Sequence, residues 1–344
     1  KTVEPKADST QMDPSIPLGG NKASEIRTTL ESRIIGQPEV IECLMRIYQA
    51  FLIGFNPQDR PIANLLFAGS TGVGKSYSVE SFAYALFSNP YAVTKIDCGE
   101  YQHSHEIARL IGSPPGYIGH RETPSILDQQ TLDKHQTESA PLNIVLFDEI
   151  EKASDALWNL LLGVMDKGKI TLGSARETDF SRSVIFMTTN LGAKEMDREL
   201  AGSHIGFTHS SLNDLNRIAD KAVRGNFSPE FMNRIDETVI FRQLGREDFR
   251  LILALEMNKV QDRILRSQKC PMFVLGYSDK ATDYLLDHGT NTRYGARDLR
   301  RTIERLVVQP LTNLVLSDQI GPSDYIRLDV RDSELVFLNE KTGL

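Results

Sequence analysis

The sequence predicts an α/β fold, a parallel sheet covered by helices, followed by a smaller, mainly helical C-terminal domain. Three observations carry that expectation. Asn64–Ala68, Ile144–Phe147 and Val184–Met187 are short unbroken apolar runs, the pattern of strands buried on both faces. A glycine-rich loop, Gly69-Ser70-Thr71-Gly72-Val73-Gly74-Lys75-Ser76, joins the first run to a helical stretch. After Phe241–Gly245 the texture changes, and helical stripes replace the alternation of runs and helices.

Residues 1–21 are rich in Pro, Gly, Ser and charge and read as a disordered lead-in or linker. A helical pattern runs from Lys22 through Leu30 and is broken by Ile34-Ile35-Gly36-Gln37-Pro38. The next helix sets Val40, Leu44, Ile47 and Phe51 on one face. Beyond the glycine loop, Val79–Leu86 space their apolar groups like a helix, and Val93–Asp97 read as a second strand. Leu157, Leu160, Leu161, Val164 and Met165 form a helical stripe between the last two apolar runs. These elements make a large domain of residues 22–242. In the small domain, 243–344, Phe249, Leu253, Met257, Val260 and Ile264 mark one long helix. Another starts near Ala296 with Leu299, Ile303, Leu306 and Val307, until Pro310 bends or interrupts it. Tyr325–Val330 alternates, and Leu335–Leu338 does so more loosely, which predicts a closing strand pair. No internal repeat is evident.

The glycine loop matches G-x-x-x-x-G-K-[ST]. A polyphosphate needs several inward backbone N–H groups, and glycines let the chain curl closely enough to supply them. The helix opening at Lys75 adds its positive N-terminal end. Lys75 then reaches the β- and γ-phosphates, and the Ser76 hydroxyl can ligate Mg²⁺. The expected nucleotide-binding set is Ser70, Thr71, Gly72, Val73, Gly74, Lys75, Ser76 and Tyr77, with ATP and Mg²⁺ as the expected ligands. Phe147-Asp148-Glu149 closes the apolar run that begins at Ile144. Alone, Asp148 and Glu149 would be an acidic pair before a helix. Downstream of such a loop, Asp148 suits a hard cation and Glu149 suits orienting and deprotonating a water. Asn190, at the end of Val184–Thr189, stands where an amide could hold that water or the γ-phosphate.

At 344 residues the chain can bury a large core and divide into two domains. Its formal net charge of −7 argues against a broad electrostatic grip on nucleic acid, a local basic channel aside. Cys43, Cys98 and Cys270 are odd in number and form no C-x-x-C pair, which predicts reduced thiols in a cytoplasmic protein. There is no membrane-length apolar run and no signal peptide pattern. The first residue is a lysine, consistent with a piece of something longer. The histidines, His103 and His105 included, lack metal-ligand spacing.

Asn143–Ala153, Met187–Gly192, Phe227–Asp236 and Tyr294–Leu299 together resemble the Clp family of AAA+ protein unfoldases, specifically the second ATPase module of its two-ring members. The resemblance runs from Ile34 to about Val330. It implies that Asp148 and Glu149 are the Walker B pair and that Asn190 is the sensor-1 residue. It implies that Arg234 reaches into a neighbouring subunit's ATP site and that Arg297 contacts the γ-phosphate from the small domain. Ile34 and Ile35 would flank the adenine. Without the resemblance, Arg234 would be read as a structural salt bridge.

Gly112-Ser113-Pro114-Pro115-Gly116-Tyr117-Ile118-Gly119 forces a loop. It resembles the Clp pore loop, in which Tyr117 and Ile118 would grip an extended polypeptide. Lys167–Arg176 would lie near a second channel loop. His204-Ile205-Gly206-Phe207-Thr208 resembles the loop with which some Clp unfoldases dock on the ClpP peptidase, which makes Ile205, Gly206 and Phe207 candidate docking residues. Disaggregases such as ClpB lack that triplet. Ser70 and Ser76 replace the family's usual proline and threonine, and Glu122-Thr123 replaces its Gly-Gly. The implied function is an ATP-dependent unfoldase, a homo-oligomeric ring read as a hexamer, acting on polypeptide rather than nucleic acid or membrane. A clamp-loader-like or helicase-loader-like ATPase and a non-translocating assembly ATPase are the alternatives.

Overall fold

This computed structural model describes residues 21–112, 125–192, 217, 221–290 and 295–340. Most of the expected lead-in lies outside the described residues, and the first helix begins at Asn21, one residue before the expected boundary.

The first lobe opens with α1 (Asn21–Arg33) and α2 (Pro38–Leu52), then β1 (Ala63–Ala68), which leads through the glycine loop into α3 (Lys75–Phe87). β2 (Thr94–Asp97), β3 (Asn143–Asp148) and α4 (Asp155–Lys167) follow. A hairpin of β4 (Lys169–Thr171) and β5 (Glu177–Asp179) precedes β6 (Ser183–Thr189) and β7 (Glu237–Ile240). Five of these strands form one parallel sheet in the order β2-β3-β6-β1-β7. Side chains alternate across a strand, so each apolar run feeds two cores. Leu65, Phe67, Ile144, Leu146, Val184 and Phe186 face the α1–α3 side. Leu66, Val145, Phe147, Ile185 and Met187 face Leu157, Leu161, Val164 and Met165 of α4. Burial on both faces is why these runs show no polar alternation.

The second lobe contains α5 (Arg246–Arg266), β8 (Val274–Tyr277), α6 (Asp279–Gly289) and α7 (Ala296–Ile303). It ends with α8 (Gln309–Leu316), β9 (Tyr325–Arg331) and β10 (Glu334–Asn339). β9 and β10 form the expected strand pair, which is antiparallel, and β8 joins β9 in parallel as a third strand. Pro310 does not end its helix. A π-helical turn, Glu304–Val308, links α7 to α8 and leaves Pro310 in the first turn of α8, where a missing N–H is tolerated.

The lobes meet beside the glycine loop. Gln37 is buried, its side-chain amide donating to Arg242 O (2.9 Å) while its Oε1 accepts from Arg242 N–H (3.1 Å). The Arg242 guanidinium then makes a two-pronged pair with Asp248 at 2.7 and 2.8 Å. Gly295 has φ +56°, and a Cβ there would stand 2.7 Å from Gly72 O. Only glycine lets the start of α7 lie directly on the loop, where Ala296 N–H donates to Gly72 O at 3.1 Å.

Burial favours a higher pKa for Asp248, but hydrogen bonds from Arg242 and the Gly245 N–H outweigh it and hold the carboxyl below its usual range. A folded-state pKa below the unfolded one adds stability above the unfolded value, and that stability disappears as pH falls through the folded value. Asp248→Asn should therefore lower stability at pH 7 by about 1 kcal/mol, a figure kept small because the pair is partly exposed. In urea denaturation the gap between wild type and variant should close below about pH 4. A gap unchanged from pH 7 to pH 3 would contradict this account.

Candidate functional site

The carboxyl ends of β1, β3 and β6 converge on the glycine loop, where ligands of open parallel sheets bind. A Cβ at Gly69, whose φ is +149°, would stand 2.9 Å from both the Cβ and the carbonyl oxygen of Phe241. Glycine is required there for the loop to pass so close to the strand partner.

Lys75 opens α3 and is 8% exposed. Its Nζ donates to Gly69 O (2.6 Å), Ser70 O (2.9 Å) and Asn190 Oδ1 (2.8 Å), so all three donors are used. Burial pushes the ammonium down to about 8; Glu151 and Asp148 oppose that shift, and the charge of Arg297 adds to it.

Ser76 Oγ donates to both carboxylate oxygens of Asp148, at 2.9 and 3.1 Å. The Thr188 hydroxyl also donates to Asp148, and Lys95 Nζ lies 3.2 Å away. Burial favours protonation of Asp148, but the Thr188 hydrogen bond, the Lys95 charge and the Ser76 hydrogen bond together hold its pKa below the usual value. A carboxylate beside a hydroxyl is the hard-oxygen set that Mg²⁺ accepts while keeping waters and phosphate oxygens as its other ligands. Among the described residues no group of three or more His, Cys, Asp or Glu forms a self-contained metal site.

Glu149 has φ +58°, a left-handed backbone that costs a non-glycine residue on the order of 1 kcal/mol. Its N–H donates to Thr188 Oγ1 at 3.0 Å, so Thr188 orients both acids. The Glu149 carboxylate pairs with Lys152 and lies 3.5 Å from Asn190 Nδ2. The Asn190 N–H is in turn held by Glu151 Oε1 at 3.2 Å.

Ile34, Ile35, Thr71, Gly72, Val73, Gly74, Lys75, Ser76, Tyr77, Asp148, Glu149, Asn190 and Arg297 line one cleft. Ser70 does not line it; its side chain is buried and its hydroxyl has no partner among the described residues. Arg234 also lies elsewhere, 2.9 Å from Asp166 and 3.2 Å from Glu230. The segment Lys167–Arg176 ends α4 and forms most of the β4–β5 hairpin, with Lys169 and Arg176 exposed. Tyr117, Ile118, Ile205, Gly206 and Phe207 lie outside the described residues. Cys43, Cys98 and Cys270 are free thiols, the first two buried, and burial pushes the Cys43 thiol up to about 12. No helix among the described residues is long and apolar enough to cross a membrane.

The cleft also contains residues that sequence reasoning passed over, among them Gln37, Lys95, Thr188, Glu256 and Arg300. Thr188 on β6 stands two residues before Asn190, just past the strand's end, and that even spacing is a signal available in the sequence itself. Lys95 could be placed beside Asp148 only by knowing that β2 pairs with β3.

Residues 60–238 match the model of the AAA domain (Cdc48 subfamily), and residues 244–328 match that of the C-terminal, D2-small domain of ClpB protein. A Porphyra purpurea protein called ATP-dependent Clp protease ATP-binding subunit ClpA homolog is 34% identical over 331 residues, covering 94% of this chain and 39% of the relative. Chaperone protein ClpB 1 of a Nostoc species is 34% identical over 319 residues, covering 93% of this chain and 34% of the relative. A closed-state reconstruction of Hsp104 with ATPγS and FITC casein superposes with a TM-score of 0.78 at 27% identity, over 92% of this chain and 52% of that one. The chain thus spans well under half the length of these two curated relatives. It belongs to the family of the AAA domain (Cdc48 subfamily), as the second ATPase module of Clp-type proteins.

Proposed function

We propose that this ATPase module works as an ATP-driven protein unfoldase, in a homo-oligomeric ring read as a hexamer, with each ATP site completed by a neighbour's arginine. The observation that carries this reading is the position of Arg234. Lys75, Asp148, Glu149, Asn190 and Arg297 gather in one cleft, whereas Arg234 stands apart from it, held by Asp166 and Glu230. An arginine offered to another subunit's γ-phosphate stabilises charge on the transferring oxygens and makes turnover depend on assembly.

In this reading the loop N–H groups and Lys75 hold the β- and γ-phosphates, and Ile34 and Ile35 flank the base. Mg²⁺, held through Ser76 and Asp148, would neutralise phosphate charge when bound. Glu149, set by the Thr188 hydroxyl, orients and deprotonates the attacking water. Asn190 and Arg297 fix the water and the γ-phosphate. Tyr117 and Ile118 grip an extended polypeptide in the ring's channel, and Ile205, Gly206 and Phe207 dock ClpP. Similar relatives carry both protease-subunit and ClpB names, so ClpP feeding rests on the triplet alone. A cytoplasmic setting is also proposed, in keeping with the free thiols.

Glu149→Gln should bind ATP yet turn it over at least about 100-fold more slowly. Wild-type turnover in that variant would remove the general-base assignment. Arg234→Ala should keep nucleotide affinity and lose on the order of 10³ in turnover. Mixing Arg234→Ala with Glu149→Gln chains should restore some ATPase activity, because a mixed interface unites an intact glutamate with an intact arginine. Mixtures no more active than either parent would contradict a shared site. In a folded-reporter degradation assay with ClpP, Tyr117→Ala should hydrolyse ATP without unfolding, and Phe207→Ala should unfold without degradation. Unimpaired unfolding refutes the gripping role, and unimpaired degradation refutes docking through Phe207.

A further inference from the structure

Tyr77 follows Ser76 directly in α3, and cations from three other helices lie over its ring. Arg33 of α1 stands 5.7 Å from the ring centroid, Lys259 of α5 5.1 Å, and Arg300 of α7 5.3 Å. All fall within the roughly 6 Å over which a ring quadrupole attracts a cation. Glu256, mostly buried, accepts from Lys259 Nζ (2.8 Å) and Arg300 Nε (2.9 Å). The two second-lobe cations are therefore locked together against a ring of the first lobe. Arg33 also stacks on Tyr84 at 4.2 Å, which ties its end of the cluster to α3 as well.

The geometry matters for α7. Its first residue is anchored by the Ala296 N–H bond to Gly72 O, and Arg300 is anchored one turn later on Tyr77. Arg297 lies between these anchors, shares a helix face with Arg300 by its i, i+3 spacing, and lines the cleft. Leu299 and Ile303 bury α7 in the second lobe's core, so with only the first anchor that lobe could pivot about Gly72 and carry α7 and Arg297 with it. With both, its position over the cleft is set.

We propose that Tyr77 is a positioning residue for Arg297, acting through Arg300 and Lys259. The inference rests on the reading of Arg297 as a γ-phosphate contact. The cations meet the face of the ring, so the hydroxyl is dispensable and Tyr77→Phe preserves the contact. Tyr77→Leu removes it.

The test uses steady-state ATPase kinetics and ADP titration calorimetry on the whole chain, with thermal unfolding to check the fold. Tyr77→Leu should lose roughly tenfold in kcat while ADP, which has no γ-phosphate, binds within about twofold of wild type. Tyr77→Phe, which keeps the ring, should recover most of the kcat that Tyr77→Leu loses. In an Arg297→Ala background, Tyr77→Leu should cause no further loss. Lys259→Gln, outside the cleft lining, should reproduce a smaller loss of the same kind and serves if Tyr77→Leu misfolds. Losses that multiply in the double variant, or an ADP affinity that falls as far as kcat, overturn the inference while leaving Arg297 its role. A neutral Arg297→Ala overturns the role of Arg297 first and the inference with it.

Discussion

An ammonium group withdrawn from water must be surrounded by oxygen, and much of the cleft meets that requirement for Lys75. Two of its acceptors are carbonyls of its own loop, which the loop can turn inward because Gly69 presses against Phe241 without a side chain. The third is the Asn190 side chain, delivered by β6 and fixed through its own N–H to Glu151. Burial weakens the ammonium's hold on its proton, and nearby acids restore part of it. Satisfying one cation thus ties the glycine loop to the end of β6 and to the acidic turn after β3.

The acidic side follows the same logic at shorter range. Asp148 is surrounded by a hydroxyl from α3, a hydroxyl from β6 and an ammonium from β2. Such a carboxylate stays ionised and fixed in direction, as cation binding demands. The strained backbone of Glu149 aims the next acid to the other side, and the Thr188 hydroxyl sets both. Strain that persists under so many constraints is the kind retained at working sites.

Much of this was legible beforehand because it lies in single stretches. The glycine loop, the Phe147-Asp148-Glu149 turn and Asn190 each declare themselves locally, and their strands are unbroken apolar runs that only a two-sided sheet explains. What stayed hidden depends on which strands become neighbours. β7 is short and half polar, and it pairs with β1 at a separation of 172 residues, Leu65 opposite Glu237. β8 contains Gly276 and an exposed Val274, so neither burial nor alternation marks it as a strand. Lys95, Glu256 and Arg300 reach the cleft through sheet order and lobe packing, and charged residues on strands and helices otherwise read as solvated surface. Arg234 carries the opposite lesson. Its local reading, a salt bridge, is present as Arg234–Asp166, and the second role proposed for it comes from the family resemblance, with which its place outside the cleft lining agrees.

The π-helical turn between α7 and α8 has a consequence for length. Leu299, Ile303, Val307 and Leu311 are all buried at a constant spacing of four, a row that would drift sideways along an ordinary helix. The wider turn at Glu304–Val308 counters that drift and keeps the row facing the second lobe's interior. Substitutions within that turn alter a contact or two. Losing or gaining one residue there would rotate everything beyond it by about 100° and present Leu311 to water. The segment therefore acts as a counting device, indifferent to much of its composition and strict about its number of residues.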